Sequence, residues 1–130
     1  MTDWVTERSQ CSPANSFERL KAEIKDDIKA RTVLIKSGDY KLSFSEENKN
    51  RLIVTLEGIL PGKVPPVSIN ESVWIELSGK VIIVRNLEEE LKATLTLNEE
   101  GKCRLKIKGI EHDFWRVRQM LLEDLFFNIV

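Results

Sequence analysis

Apolar and polar residues alternate along much of the chain between residues 40 and 108, which is the pattern of half-buried β-strands. Two such series flank the polar cluster at residues 46–50: Tyr40, Leu42 and Phe44 before it, and Leu52, Val54 and Leu56 after it. They predict a first hairpin with one wholly apolar face, in which Phe44 lies opposite Leu52.

A second hairpin is predicted around the turn dipeptide Ser78-Gly79. Residues 81–84 after that turn form an unbroken apolar run, which is typical of a strand that is covered on both faces. We therefore expect a second layer over the outer side of the sheet at this point. Residues 61–71, which are rich in proline, are interpreted as a long irregular connection before this hairpin.

The third hairpin has the best-defined register. The segment from Asn98 to Gly101 matches a type I turn with a glycine bulge, and this turn places Leu97 opposite Cys103. A row of basic side chains then shares the outer face of the hairpin: Lys92, Arg104, Lys106 and Lys108. Such a row could bind an anion such as phosphate. It is also typical of a solvent-facing or edge strand on which lysine discourages pairing with other chains.

An N-terminal helix is predicted from an apolar stripe with spacings of three and four: Phe17, Leu20, Ile24 and Ile28. Asn15 and Glu18 form a capping-box pattern at its start. Residues 33–35 fit either a last helical turn stopped by Gly38 or a short strand, with a slight preference for the helix. Residues 1–15 are polar and are predicted to be a flexible tail.

A C-terminal helix is predicted from a second apolar stripe: Phe114, Val117, Leu121 and Leu125. Residues 120–130 carry more apolar side chains than one stripe requires. The excess predicts a partner-binding surface formed by Met120, Leu122, Phe126, Phe127 and Ile129. Burial within the chain is the alternative for this helix, and the sequence leaves the choice open.

These elements predict the α+β class: an N-terminal helix, an antiparallel meander of about five to six strands, and a C-terminal helix packed on the sheet. The 130 residues suit one domain, which we place at residues 16–130 after the tail. Apolar residues make up 42% of the chain, enough for a core at this size. The net charge of −1 gives no general attraction to nucleic acid or to an anionic membrane.

The compartment is predicted from the termini and the cysteines. The first ten residues have no apolar stretch of the kind found in a signal peptide, and no run approaches the length of a membrane span. Cys11 and Cys103 do not form a disulfide framework, so both are expected to be reduced. These observations together predict a cytoplasmic protein.

No residue set predicts catalysis, a metal or a cofactor. His112 is the one histidine, and its sequence neighbours Glu111 and Asp113 point away from it in most backbones. Cys103 falls on the apolar face of its strand, where a free cysteine usually packs as a small hydrophobic residue. His112 and the two cysteines also lack the spacing of a zinc site. We therefore expect no enzyme activity.

Three functions remain as hypotheses. The first is a non-enzymatic protein-interaction module, an adaptor or chaperone-like protein that forms a homodimer through its C-terminal helix. The second is a domain that binds a small apolar ligand or lipid between the sheet and that helix, in a cavity lined by Trp74, Leu105 and Phe114. The third is phosphate or nucleic-acid binding on the basic face of the third hairpin, although no aromatic residue interleaves there.

Overall fold

The computed structural model of the protein describes residues 3–36, 38–60 and 62–129. Its helices are α1 (Trp4–Gln10), α2 (Pro13–Leu34) and α3 (Phe114–Glu123), which a π-helix (Asp124–Asn128) extends. Its strands are β1 (Tyr40–Asn48), β2 (Arg51–Leu60), β3 (Val67–Ser78), β4 (Val81–Arg85), β5 (Glu90–Leu97), β6 (Cys103–Ile107) and β7 (Ile110–His112).

The seven strands of the described residues form one antiparallel sheet in which the spatial order is the sequence order. The α+β class, the meander and the two flanking helices agree with the prediction, and the sheet has more strands than the five to six expected. The extra strand is β7, a three-residue strand that follows the turn at Lys108-Gly109 and pairs with β6.

The core lies between α2 and α3 and one face of the sheet, and its buried side chains form a single cluster. Phe17, Leu20 and Ile24 of α2 are each 1% exposed, as the predicted stripe requires. The stripe of α3 is buried in the same cluster. Each large apolar side chain buried in this way contributes about 1.5–3 kcal/mol, so the two stripes account for the docking of both helices.

The predicted register of the first hairpin is wrong by two residues. Phe44 pairs with Val54 rather than with Leu52, and Leu52 pairs with Glu46. β1 runs on to Asn48 with an irregularity between Glu46 and Asn48, so the first three residues of the predicted turn belong to the strand and Lys49-Asn50 form the turn. The apolar face is unchanged, because a shift of two residues returns every side chain to the same side.

The connection before the second hairpin is shorter than predicted, because β2 extends to Leu60 and β3 begins at Val67. The expected second layer is absent from the described part of the chain. Val81 and Ile83 lie on the sheet face opposite the helices and are half-buried, whereas Ile82 and Val84 face the core. The run of four apolar residues therefore reflects a partly screened outer face, not a covered one.

The N-terminal region contains helical structure that the sequence did not predict. α1 occupies Trp4–Gln10, and α2 begins at Pro13, before Asn15. The side chain of Ser12, not that of Asn15, caps α2 by accepting a hydrogen bond from the backbone N–H of Asn15. The flexibility predicted for this region remains a prediction.

Cys11 and Cys103 form a disulfide with their Cα atoms 5.3 Å apart. The expectation that both cysteines stay unpaired is wrong, although Cys103 does pack against the core cluster from the apolar face of its strand. The sequence could not predict this pairing, because 92 residues separate the two cysteines and only the tertiary fold brings them together.

The preference for a helix at residues 33–35 holds as far as Leu34, and Ile35 is the C-terminal cap residue in an extended conformation. Gly38 does not have a positive φ, so the predicted left-handed glycine cap is wrong. The third hairpin has the predicted register, with Leu97 opposite Cys103 and a positive φ of 78° at Gly101.

Candidate functional site

An apolar groove of about 380 Å³ lies between α2 and the C-terminal helical segment, α3 with its π-helix. Leu122 and Phe126 are buried at 3% and 7% exposure and line its inner part. Three large apolar side chains border it and are mostly exposed: Leu34 (63%), Trp115 (56%) and Phe127 (58%). We call these five residues the helical groove. It is a concave apolar surface that could hold an apolar group of a partner or ligand.

The helix geometry decides which side chains reach the groove. Residues 114, 117 and 121 of α3 face the sheet, so Trp115 points away from the core next to α2. The π-helix then adds a residue to the last turn. Phe126 turns inward and Phe127 outward, with their rings edge to face at a centroid distance of 6.2 Å.

Charged groups join the two walls of the groove. A guanidinium nitrogen of Arg118 donates to both carboxylate oxygens of Asp27, at 3.0 and 3.1 Å. Burial raises the pKa of Asp27, although the adjacent Arg118 opposes that rise. Arg31 donates from Nε to the backbone carbonyl oxygen of Phe126 at 3.0 Å, and its guanidinium lies 4.8 Å from the ring centre of Phe127.

The five residues predicted to bind a partner have different environments. Phe127 is exposed, whereas Leu122 and Phe126 are in the core. Met120 and Ile129 are half-buried against the same core cluster. The prediction omitted Leu34 and Trp115. Trp115 carried a usable signal, since it lies next to Phe114 and therefore off the buried stripe. Leu34 carried a weaker signal, because the sequence favoured a helix over a strand only slightly at residues 33–35.

The basic row on the third hairpin is only partly as predicted. Arg104 and Lys106 lie on the outer face opposite Thr96 and Thr94, and Lys92 lies on the same face opposite Ile83. Lys108 is not in the ladder, because β6 ends at Ile107 and Lys108 takes a positive φ of 52° in the following turn. β6 is also not an edge strand, since β7 pairs with its free side.

Acidic residues lie beside most members of this row. Arg104 Nε lies 3.7 Å from a carboxylate oxygen of Asp113, and Lys108 Nζ lies 3.3 Å from one of Glu89. Lys106 is paired across the ladder with Glu111. These neighbours reduce the positive potential that a phosphate would meet, and the Lys108–Glu89 pair is exposed and therefore weak.

The residues considered for catalysis or metal binding lie in the sheet and at the disulfide. His112 lies on β7 opposite Leu105 and is half-buried. Within residues 3–36, 38–60 and 62–129, no three His, Cys, Asp or Glu side chains are placed so that they could hold a metal ion.

The fold and the helical groove define a small α+β domain with a meander sheet and an apolar surface on its helical side. Comparison with protein-family models, with curated proteins and with solved structures found no match to this chain. None of the helices in the described ranges is long and apolar enough to cross a membrane.

Proposed function

We propose that the protein is a non-enzymatic interaction module, an adaptor or chaperone-like protein, that forms a homodimer through its helical groove. The observation that carries this proposal is the set of three exposed large apolar side chains, Leu34, Trp115 and Phe127, around one apolar depression. Clustered exposure of this kind marks interaction surfaces more often than scattered apolar residues do.

The composition of the groove suits a protein interface. Tryptophan and arginine are enriched among the residues that dominate binding energy, and Trp115 stands beside Arg118 on the groove wall. Arg118 and Arg31 are already oriented by Asp27 and by the Phe126 carbonyl. Side chains that are held before binding lose less conformational entropy on association.

Sedimentation of the wild type and a surface variant at micromolar concentration tests the proposal. We expect a wild-type dimer and a folded Phe127→Glu monomer, because the ring of Phe127 is 58% exposed and its loss leaves the core intact. Phe126→Glu is unsuitable, since Phe126 is buried. Val64→Glu is the matched control: Val64 is 97% exposed and lies outside the groove, so this variant should remain a dimer. A monomeric wild type would contradict the homodimer.

The apolar-ligand hypothesis needs a different location from the one predicted. Leu105 and Phe114 belong to the packed core, while Trp74 lies on the opposite sheet face with the Arg51 guanidinium 4.3 Å from its ring centre. An apolar small molecule would therefore have to bind in the helical groove itself. Competition between such a molecule and dimer formation would distinguish the two functions at that one surface.

The proposed cytoplasmic location now has a specific consequence. Cytosolic thiols keep most cysteines reduced, so the Cys11–Cys103 pair would be present there as two thiols. Rapid acidification of the cells stops thiol–disulfide exchange, and alkylation of the recovered protein afterwards counts its free thiols. Alkylation of both cysteines would support a cytoplasmic location, and a disulfide protected from alkylation would support an oxidising compartment.

A further inference from the structure

The disulfide attaches α1 to the sheet at a single point. Cys11 is the C-terminal cap residue of α1 and is 1% exposed, and Cys103 is the first residue of β6. Both cysteines border an open groove of about 800 Å³, which is also lined by residues of α1, of the start of α3 and of the turn after β5. Cys103 is half-buried, so it is the more exposed residue of the two.

No other strong contact holds α1 among the described residues. The helix has no buried residue, and Trp4 and Val5 are exposed. Its side-chain hydrogen bonds are local: Thr6 with Asp3, the Ser9 hydroxyl with the Val5 carbonyl, and Arg8 with the Cys11 carbonyl. Neither Glu7 nor Arg8 forms an ion pair with the rest of the described chain.

The neighbouring helix α2 does not depend on the disulfide in this way. Its own cap, Ser12, accepts from the Asn15 N–H, and Phe17 and Leu20 are buried against the sheet. Breaking the bridge should therefore free residues 3–11 and leave α2 docked. A freed helix of seven residues is too short to persist alone in water, since isolated helices need about 12–15 residues.

We propose that the Cys11–Cys103 disulfide is a reducible latch that holds α1 on the body of the protein, and that dithiol reductants open it. A thiolate of the dithiol attacks Cys103 Sγ, the S–S bond breaks, and its electron pair leaves on Cys11 Sγ. The second thiol of the dithiol then closes on its own mixed-disulfide sulfur and releases Cys103. The dithiol is oxidised by two electrons, and both cysteines finish as protonated thiols.

The burial of the two cysteines favours this direction of attack, because Cys103 is half-buried whereas Cys11 is 1% exposed. Cys11 lies between the C-terminus of α1 and the N-terminus of α2, so the two helix dipoles act on its departing thiolate in opposite directions. The Ser16 hydroxyl lies 3.7 Å from Cys103 Sγ and can donate to it, whether that sulfur carries the mixed disulfide or a thiolate.

To test this proposal, the full chain is treated with dithiothreitol in the absence of denaturant. The number of free thiols and the rates of amide hydrogen exchange are then measured. We expect two thiols to form, exchange at residues 7–11 to rise at least ten-fold, and the β2–β3 amides to keep their protection. Trypsin should cut after Arg8 in the reduced protein only. The Cys11→Ser, Cys103→Ser double variant should behave as the reduced protein without any reductant.

Three results would overturn the latch. The first is a disulfide that resists dithiothreitol until the whole protein unfolds. The second is unchanged exchange at residues 7–11 after reduction, which would show that other contacts hold α1. The third is loss of protection in β2 and β3 on reduction or in the double variant, which would make the bridge a support of the whole fold.

Discussion

The side-chain nitrogen of Lys21 lies 3.1 Å from the backbone carbonyl oxygen of Lys49 and donates a hydrogen bond to it. Lys21 is 5% exposed, and its charge is balanced by Glu18 at 2.9 Å and Glu46 at 3.7 Å. A nearly buried cation thus connects the first turns of α2 to the turn between β1 and β2.

Replacing this lysine should destabilise the protein. Lys21→Met keeps the apolar stem and removes the donor, which leaves the Lys49 carbonyl without its partner, at a cost of about 1–3 kcal/mol. Urea unfolding measures the change in the free energy of unfolding. Lys29→Met is the matched control, because Lys29 is exposed on the same helix and should change stability by less than about 0.5 kcal/mol. Equal effects of the two variants would argue against the Lys21 contact.

Glu46 should make stability depend on pH below neutrality. A hydrogen bond from Lys25, followed by the charge of Lys21, lowers the pKa of Glu46 below its ordinary value of 4.5. The folded state therefore binds this proton less readily than the unfolded state does. The stabilisation is present above pH 4.5 and is lost as pH falls through the lower folded pKa. Glu46→Gln should flatten the acid limb of a plot of unfolding midpoint against pH, and an unchanged slope would refute this.

Asp27 should affect the pH dependence of stability in the opposite direction from Glu46. Burial raises its pKa above the ordinary value of 3.8, so the folded state holds this proton more tightly than the unfolded state does. The penalty on the folded state is present at neutral pH and is relieved as pH falls through the raised folded pKa towards 3.8. Carbon-detected NMR should give a titration midpoint above 3.8 for Asp27. In Arg118→Gln the midpoint should rise further, because Arg118 lowers this pKa; a midpoint below 3.8 in the wild type would contradict the prediction.

Gly58 should tolerate no side chain. Its φ is 144°, and a Cβ there would lie 2.1 Å from the Asp39 carbonyl oxygen and 2.5 Å from Tyr40 Cα. Because both obstacles are backbone atoms, Gly58→Ala must push β1 away from β2 and should cost more than about 3 kcal/mol. Gly79→Ala is the control: its φ is 63° but nothing lies within 4 Å, so it should cost about 1 kcal/mol. Thermal unfolding of the two variants should separate them, and similar losses would exclude the steric explanation.

Lys108→Asn should stabilise the protein. Lys108 and Gly109 have φ values of 52° and 80° in the two-residue turn between β6 and β7, and Asn-Gly is the preferred pair for such a turn. Relief of the left-handed strain on lysine should contribute up to about 1 kcal/mol. Lys106→Asn makes the same charge change on the neighbouring strand and should not stabilise the protein. A lower unfolding midpoint for Lys108→Asn would show that its contact with Glu89 outweighs the turn.

The sequence predicted those features of the fold that depend on residues close together in the chain. The register of the third hairpin followed from the alternation and from the turn at residues 98–101, and both constraints act within a few residues. The predicted register of the first hairpin was wrong for a physical reason. The predicted and observed registers differ by two residues and bury the same face, so hydrophobicity cannot distinguish them. In the same way, the sequence showed that residues 120–130 carry more apolar side chains than one buried stripe requires. It did not show which of these side chains would be exposed.

The sequence by itself determined the class, the meander and the buried stripes of α2 and α3, because alternation and helical spacing are properties of neighbouring residues. The tertiary structure alone decided the pairing of Cys11 with Cys103, whose spacing of 92 residues carries no signal. It also decided the helical groove. Leu34, Trp115 and Phe127 come from the end of α2, the start of α3 and the π-helix, and they meet only because both helices pack on the same sheet face.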